Sequence, residues 1–271
     1  MKSVLLAILV LGVLGALFGA LLAYASKIFH VEVDPKQEAV RACLAGANCG
    51  GCGFPGCDGY AAAVAAGEAP TNKCVAGGAE AAEKIAEIMG VSGASLDKKV
   101  AFVPCSGTTG HADMRFNYTG PVDCRAAMLF GGRSNKTCTF ACIGLGNCTR
   151  VCQFDAIHIV DGVAKVNRNR CVGCGACVDE CPKSIIQLIP ESLKVMPACS
   201  NHDKGAAVTK MCDFGCIGCM KCQRECPADA ITVVDFLAKV DPAKCVGCGH
   251  CADVCPRGII NWFGKKQKTE A

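Results

Sequence analysis

The chain has 271 residues, 25 of them cysteine, a formal net charge of +4, three tyrosines and one tryptophan. An odd count of cysteines cannot pair completely, and a chain this long builds cores without covalent staples. With four thiols crowded between Cys171 and Cys181, this argues against a secreted disulfide scaffold and for metal clusters in a reducing compartment. Nor does the charge mark a nucleic-acid binder. No basic stripe with interleaved aromatics is present, and metal clusters held by thiolates would make the loaded protein more negative than its formal charge.

Taken in chain order, the first element is an apolar run. No charge occurs from Ser3 to Ser26, and Val4–Ala25 is long enough to cross a bilayer as one helix. A cleaved signal peptide is the rival reading, suggested by Lys2 and by Ala23-Tyr24-Ala25. Against it, the run is too long, no twin arginine precedes it, and export would oxidise the thiols. Residues 1–26 are therefore expected to be a retained anchor, touching the membrane through residues 4–25. Lys27, Lys36 and Arg41 follow the span and only Lys2 precedes it, which places the remaining chain in the cytoplasm. Gly12, Gly15 and Gly19 leave one helix face smooth enough to pack on another helix.

A second unit is expected over 32–92. Asp34-Pro35-x-Gln37 reads as a helix start, with Asp as N-cap, and the helix runs to about Ala45. A glycine-rich loop then carries Cys49, Cys52 and Cys57, with Cys74 after an alanine-rich stretch from Asp58 to Ala66. Gly50, Gly51, Gly53 and Gly56 let the backbone fold tightly and aim amides at cluster sulfurs. The same spacing also suits zinc. Ala79–Met89 is a further helix, stopped by Gly90.

The remaining chain is duplicated. Adding 74 to positions 138, 142, 148, 152, 171, 174, 177 and 181 lands each time on a cysteine: 212, 216, 222, 226, 245, 248, 251 and 255. In the second copy, Cys216-x2-Cys219-x2-Cys222-x3-Cys226-Pro227 and Cys245-x2-Cys248-x2-Cys251-x3-Cys255-Pro256 are the halves of a bacterial-type ferredoxin with two cubanes. The fourth cysteine of each run serves the other cluster. This groups Cys216, Cys219 and Cys222 with Cys255, and Cys245, Cys248 and Cys251 with Cys226. Short strands are expected at Ala230–Val234 and Ala238–Val240, and at Ile157–Val160 and Val163–Val166 around Asp161-Gly162.

The first copy departs at position 145, where leucine replaces the counterpart of Cys219. Cys138 is the nearest substitute, which groups Cys138, Cys142 and Cys148 with Cys181, and Cys171, Cys174 and Cys177 with Cys152. Cys212 is then an idle relic or a replacement for Cys219. Cys43, Cys105, Cys124 and Cys199 are unassigned, and two readings of them stand: a sixth metal site, or buried small hydrophobes. Val103-x-Cys105-Ser106 and Met196-x-x-Cys199-Ser200 look alike, which suggests a second pair of duplicated positions.

The expected fold is α+β: a transmembrane helix, a small helical four-cysteine 4Fe-4S domain, and two tandem 2[4Fe-4S] ferredoxin-like units. The units span 98–192, with an upstream insertion, and 195–264. No Gly-x-Gly-x-x-Gly follows a strand, Gly144-Leu145-Gly146 belongs to a ligand loop, and His111, His158, His202 and His250 share no spacing. No catalytic constellation competes with about five [4Fe-4S] clusters, so the chain reads as an electron carrier.

The anchor, the run Asn48-Cys49-Gly-Gly-Cys52-Gly-Phe-Pro-Gly-Cys57-Asp-Gly-Tyr60 with Cys74, and the paired ferredoxin units together resemble the B subunit of the Rnf complexes, over essentially the whole chain. The four-cysteine module alone also occurs in corrinoid iron–sulfur proteins. The resemblance implies a component of a membrane-bound, ion-translocating ferredoxin:NAD oxidoreductase. It implies electrons accepted from soluble ferredoxin and passed to partner subunits carrying flavin and further clusters, with sodium or proton pumping by the assembly. Short family members carry one ferredoxin unit, whereas this chain carries two. An electron-input subunit of another membrane oxidoreductase, such as a hydrogenase, and a zinc or structural cysteine protein are the alternatives.

Overall fold

The computed structural model describes residues 2–28, 34–92, 97–131 and 134–264; the terminal lysines 265, 266 and 268 lie outside these. Helix α1, Lys2–Ile28, continues unbroken through Ala23-Tyr24-Ala25. At 1.5 Å per residue its 27 residues reach about 40 Å, longer than a bilayer core of about 30 Å. None of Leu9–Ile28 is buried by the protein, and Leu11, Leu17 and Leu22 are more than 60% exposed. A core helix would be covered; this one needs lipid to cover it.

Three helices form the next unit: α2 (Pro35–Cys43), α3 (Gly56–Ala65) and α4 (Gly78–Met89). The Asp34 side chain caps α2 by accepting from the Lys36 amide at 2.8 Å. Gly90 closes α4 at φ +66°, the left-handed region that suits glycine. Val40, Tyr60, Val64 and Ile85 are all but fully buried where the three helices meet, each contributing about 1.5–3 kcal/mol by the usual area relation.

The duplication is visible element by element. The first copy has β1 (Lys99–Phe102), α5 (Cys124–Gly131), α6 (Asn147–Arg150), β2 (Ile157–Val160), β3 (Val163–Val166), α7 (Ala176–Glu180) and β4 (Gln187–Pro190). The second has β5 (Val195–Pro197), α8 (Gly205–Met211), α9 (Lys221–Arg224), β6 (Ile231–Val234), β7 (Leu237–Val240), α10 (His250–Asp253) and β8 (Ile260–Trp262). Elements α6, β2 and β3 coincide with α9, β6 and β7 when 74 is added. Among the described residues all four sheets are antiparallel pairs: β1 with β4, β2 with β3, β5 with β8, and β6 with β7. The β2–β3 turn, Asp161-Gly162, has both residues at positive φ, as the right-handed twist of a two-residue hairpin demands. Its counterpart, Asp235-Phe236, reaches the same geometry at +50° and +61° without a glycine.

The copies differ upstream of their first helical ligand. Cys105 and Cys138 are 33 residues apart, and their counterparts Cys199 and Cys212 only 13. The first copy therefore has a 20-residue insertion, which carries α5.

Candidate functional site

Five cavities of about 370, 350, 360, 350 and 320 Å³ are each lined by four cysteines. Cys49, Cys52, Cys57 and Cys74 line the one in the helical unit. Asn48 sits at φ +47° and accepts from the Cys57 amide at 2.8 Å, which draws the loop closed. Buried Tyr60 donates to the Pro70 carbonyl at 2.7 Å and accepts from the Lys73 amide at 3.0 Å, bringing the Cys74 segment back.

Cys152, Cys171, Cys174 and Cys177 line a second cavity, and Cys216, Cys219, Cys222 and Cys255 a third. Cys251 lies in the electrostatic fields of Cys222 and then of Cys248, Cys226 and Cys245, the other members of the remaining ferredoxin-type set. These are the groups the spacing suggests. The expected set of Cys138, Cys142, Cys148 and Cys181 is different. Cys142, Cys148 and Cys181 do share a cavity, but the fourth cysteine there is Cys124, and Cys138 lines another cavity.

The insertion brings Cys124 to this cavity. Asp123 caps α5 through the Ala126 amide at 2.8 Å, a bond that also holds its carboxyl below the usual range. Buried Asn147, on α6 beside Cys148, accepts from the Cys124 amide at 2.6 Å and donates to Asp123 and Glu180. Cys124 is thereby fastened to the helix whose cysteine it faces. Leu145, at the position that matches Cys219, packs instead against the cluster of Cys124, Ala127 and Ile143. Cys124 has no cysteine partner in the 74-residue register, since position 198 is alanine. The length difference between the copies was the available signal.

Many of these sulfurs accept amide hydrogen bonds. Gly77 donates to Cys74, Ala101 to Cys171, Ala156 to Cys152 and Ala230 to Cys226, each at 3.3 Å. Amides aimed at sulfur stabilise thiolate and tune bound clusters. Left to themselves the thiols resist ionisation. Burial, then repulsion from neighbouring cysteines, pushes Cys148 and Cys177 up to about 12, and Cys222 and Cys251 to about 11. Four ionised sulfurs around one cavity require a cation between them, and a metal centre deprotonates them outright. Among the described residues no three such groups converge tightly enough for a single ion. Thiolates on one zinc lie about 3.8 Å apart, whereas a cubane spreads them over its corners. Donor set, cavity lining and amide donors fit [4Fe-4S] clusters.

A membrane-anchored iron–sulfur electron-transfer protein is the class that this helix and these cavities define. Family comparisons agree: an Fe-S cluster family matches residues 44–76, and 4Fe-4S dicluster domain families match 141–186, 170–230 and 215–259. The chain is 47% identical over 262 residues to the B subunit of the Na+-translocating ferredoxin:NAD+ oxidoreductase complex of Acetobacterium woodii, covering 96% of this chain and 78% of that one. It is 42% identical to the B subunit of the ion-translocating oxidoreductase complex of Methanosarcina acetivorans, covering 96% and 99%. To the B subunit of the proton-translocating ferredoxin:NAD+ oxidoreductase complex of Clostridium ljungdahlii it is 40% identical, covering 96% and 93%. The chain belongs to this family, the B subunits of Rnf-type complexes.

Lys136 is buried at 2% exposure and donates to the carbonyls of Gly107 and Gly162, both at 2.8 Å. Burial pushes the Cys142 thiol up, and the Lys136 ammonium pulls it the other way. Lys136→Met keeps the bulk and removes the charge. It is expected to cost about 1–3 kcal/mol for each carbonyl left without a donor. It is also expected to make the cluster beside Cys142 harder to reduce, read as a more negative midpoint in a redox titration; an unmoved midpoint would show that this cation does not act on the cluster.

Proposed function

We propose that this chain takes electrons from reduced soluble ferredoxin and relays them to flavin-bearing partner subunits of an ion-translocating ferredoxin:NAD oxidoreductase. Translocation of Na+ or H+ is then a property of the assembly. The iron–sulfur domains lie on the cytoplasmic side, as the lysine and arginine bias after α1 supports. Each [4Fe-4S] cluster supplies reversible one-electron exchange. The ligand sets are Cys49, Cys52, Cys57, Cys74; Cys152, Cys171, Cys174, Cys177; Cys124, Cys142, Cys148, Cys181; Cys216, Cys219, Cys222, Cys255; and Cys226, Cys245, Cys248, Cys251.

One observation carries the reading: the helical unit touches a ferredoxin ligand loop directly. A Cβ on Gly51 would lie 2.9 Å from Cys174 Cα and 2.8 Å from Val75, so only glycine allows the two loops to meet. The module nearest the anchor thus shares a wall with the first ferredoxin unit. At the far end Cys248 is exposed, with Val246 71% exposed beside it, which suits a docking face for a soluble carrier.

The test is stopped-flow reduction of the purified full chain by reduced ferredoxin. Reduction of the Cys49–Cys74 cluster is expected in the wild type and is expected to be abolished in Cys248→Ala. Persistence of that reduction in the variant would refute entry at the C-terminal unit, and a wild type that ferredoxin cannot reduce would refute the function.

A further inference from the structure

The fifth cavity is lined by Cys105, Cys138, Cys199 and Cys212. Cys105 and Cys138 lie outside every family match, and the two ferredoxin repeats do not require these four. Two come from the first copy and two from the second, and Cys138 and Cys212 are equivalent positions in the 74-residue register. We infer that these four cysteines hold a further [4Fe-4S] cluster, seated between the two ferredoxin units with two ligands from each.

Its open volume, about 350 Å³, falls within the 320–370 Å³ of the other four-cysteine cavities, so the space available matches theirs. Its polar groups are arranged as at the other sites. Asn201, buried at 2% exposure, donates its side-chain amide to Cys138 Sγ at 3.2 Å and its backbone amide to Cys199 Sγ at 3.5 Å. Its Oδ1 accepts from the Asp203 amide at 2.6 Å, which fixes the orientation of the side chain. The Cys216 amide donates to Cys199 Sγ at 3.4 Å. Small buried hydrophobes need no such donors, whereas metal-bound thiolates do.

Backbone geometry holds the halves together. Asp113 N donates to Met211 O at 3.0 Å and Asp213 N to His111 O at 2.8 Å, bracketing Cys212 in register with Ala112. Gly107 admits the approach: a Cβ there would lie 3.2 Å from Ala112 Cβ, 3.5 Å from Cys212 Sγ and 3.8 Å from Cys105 Sγ. The site also adjoins a ligand set on each side. Cys142 lies in the field of Cys105, and Cys199 in the fields of both Cys216 and Cys138. On the proposed relay function, on which this part of the inference rests, the site joins the two ferredoxin units into one path. With it, six sets of four account for every cysteine except Cys43.

Iron, acid-labile sulfide and zinc per chain, measured on anaerobically reconstituted full-length protein, test the site without any electron donor. About 24 iron and no stoichiometric zinc are expected, against about 20 iron if these thiols bind no cluster. The Cys105→Ala/Cys212→Ala double variant should lose about four iron and no more, because both residues serve one cluster. A wild type at about 20 iron, or one zinc per chain alongside about 20 iron, would overturn the inference whether or not the variant folds. So would a double variant that retains the wild-type iron. Ferredoxin reactivity plays no part in these readouts, so a failure here and a failure of the relay function are separable.

Discussion

Cys124→Ala is expected to remove about four iron atoms from the reconstituted chain, one cluster's worth. The loss should be confined to the set containing Cys142, Cys148 and Cys181, whose fourth wall Cys124 forms. Pairs of substitutions make the assignment exact. Cys124→Ala with Cys181→Ala should still lose about four, since both act on one cluster, whereas Cys124→Ala with Cys138→Ala should lose about eight. Full iron retention in Cys124→Ala would return Cys138 to this set. Electron flow should fail with the iron: ferredoxin should still reduce clusters of the second unit in Cys124→Ala but no longer reach the one held by Cys49 and Cys74.

Gly144→Ala should be the most disruptive glycine substitution in the ligand loops. Gly144 has φ +85°, and a Cβ there would lie 2.2 Å from the Gly162 carbonyl oxygen and 2.7 Å from its carbon. Backbone meets backbone at that point, so no side chain can turn aside. The left-handed conformation and the overlap together are expected to cost about 2–5 kcal/mol. Gly175 is a matched control, at φ +88° but with open space around the added carbon, and its alanine variant should cost only about 1–2 kcal/mol. The midpoint of heat-induced loss of cluster absorbance should fall further in Gly144→Ala than in Gly175→Ala. Equal midpoints would show that the β2–β3 turn yields to the added carbon. A separate contact constrains the glycine of Asp161-Gly162, which has φ +72° and whose own Cβ would lie 2.8 Å from Thr109 Oγ1.

The cysteines that share the cavities of the four-cysteine loop and of two ferredoxin-type sets were legible from spacing because most of them lie within one turn-rich segment. In Cys171–Cys177 or Cys216–Cys222 the two-residue gaps are themselves the loop that wraps a cluster. The glycines Gly173, Gly175 and Gly218 supply the positive φ values it needs. The β2–β3 and β6–β7 hairpins were legible for a similar reason, with alternating burial across a two-residue turn. Cys124 was not legible. Its cavity partners are 18 to 57 residues away in the chain, and the Asn147 contacts that fasten it to α6 belong to the packed protein. Cys138 misled for the complementary reason: being close to Cys142 along the chain, it passed for its neighbour, while the fold turns it toward Asn201 in the second copy.

By itself the sequence determined the anchor, the four-cysteine module, the duplication and the family, because each is encoded in composition or in local spacing. The tertiary structure decided which cysteine shares the cavity of the altered half-ferredoxin and where the leftover thiols gather. Those sets draw their sulfurs from separate segments. Proximity in the chain says little about proximity in space once two homologous units pack face to face. Their contact places Cys105 and Cys138 opposite Cys199 and Cys212, and turns four spare residues into one cavity.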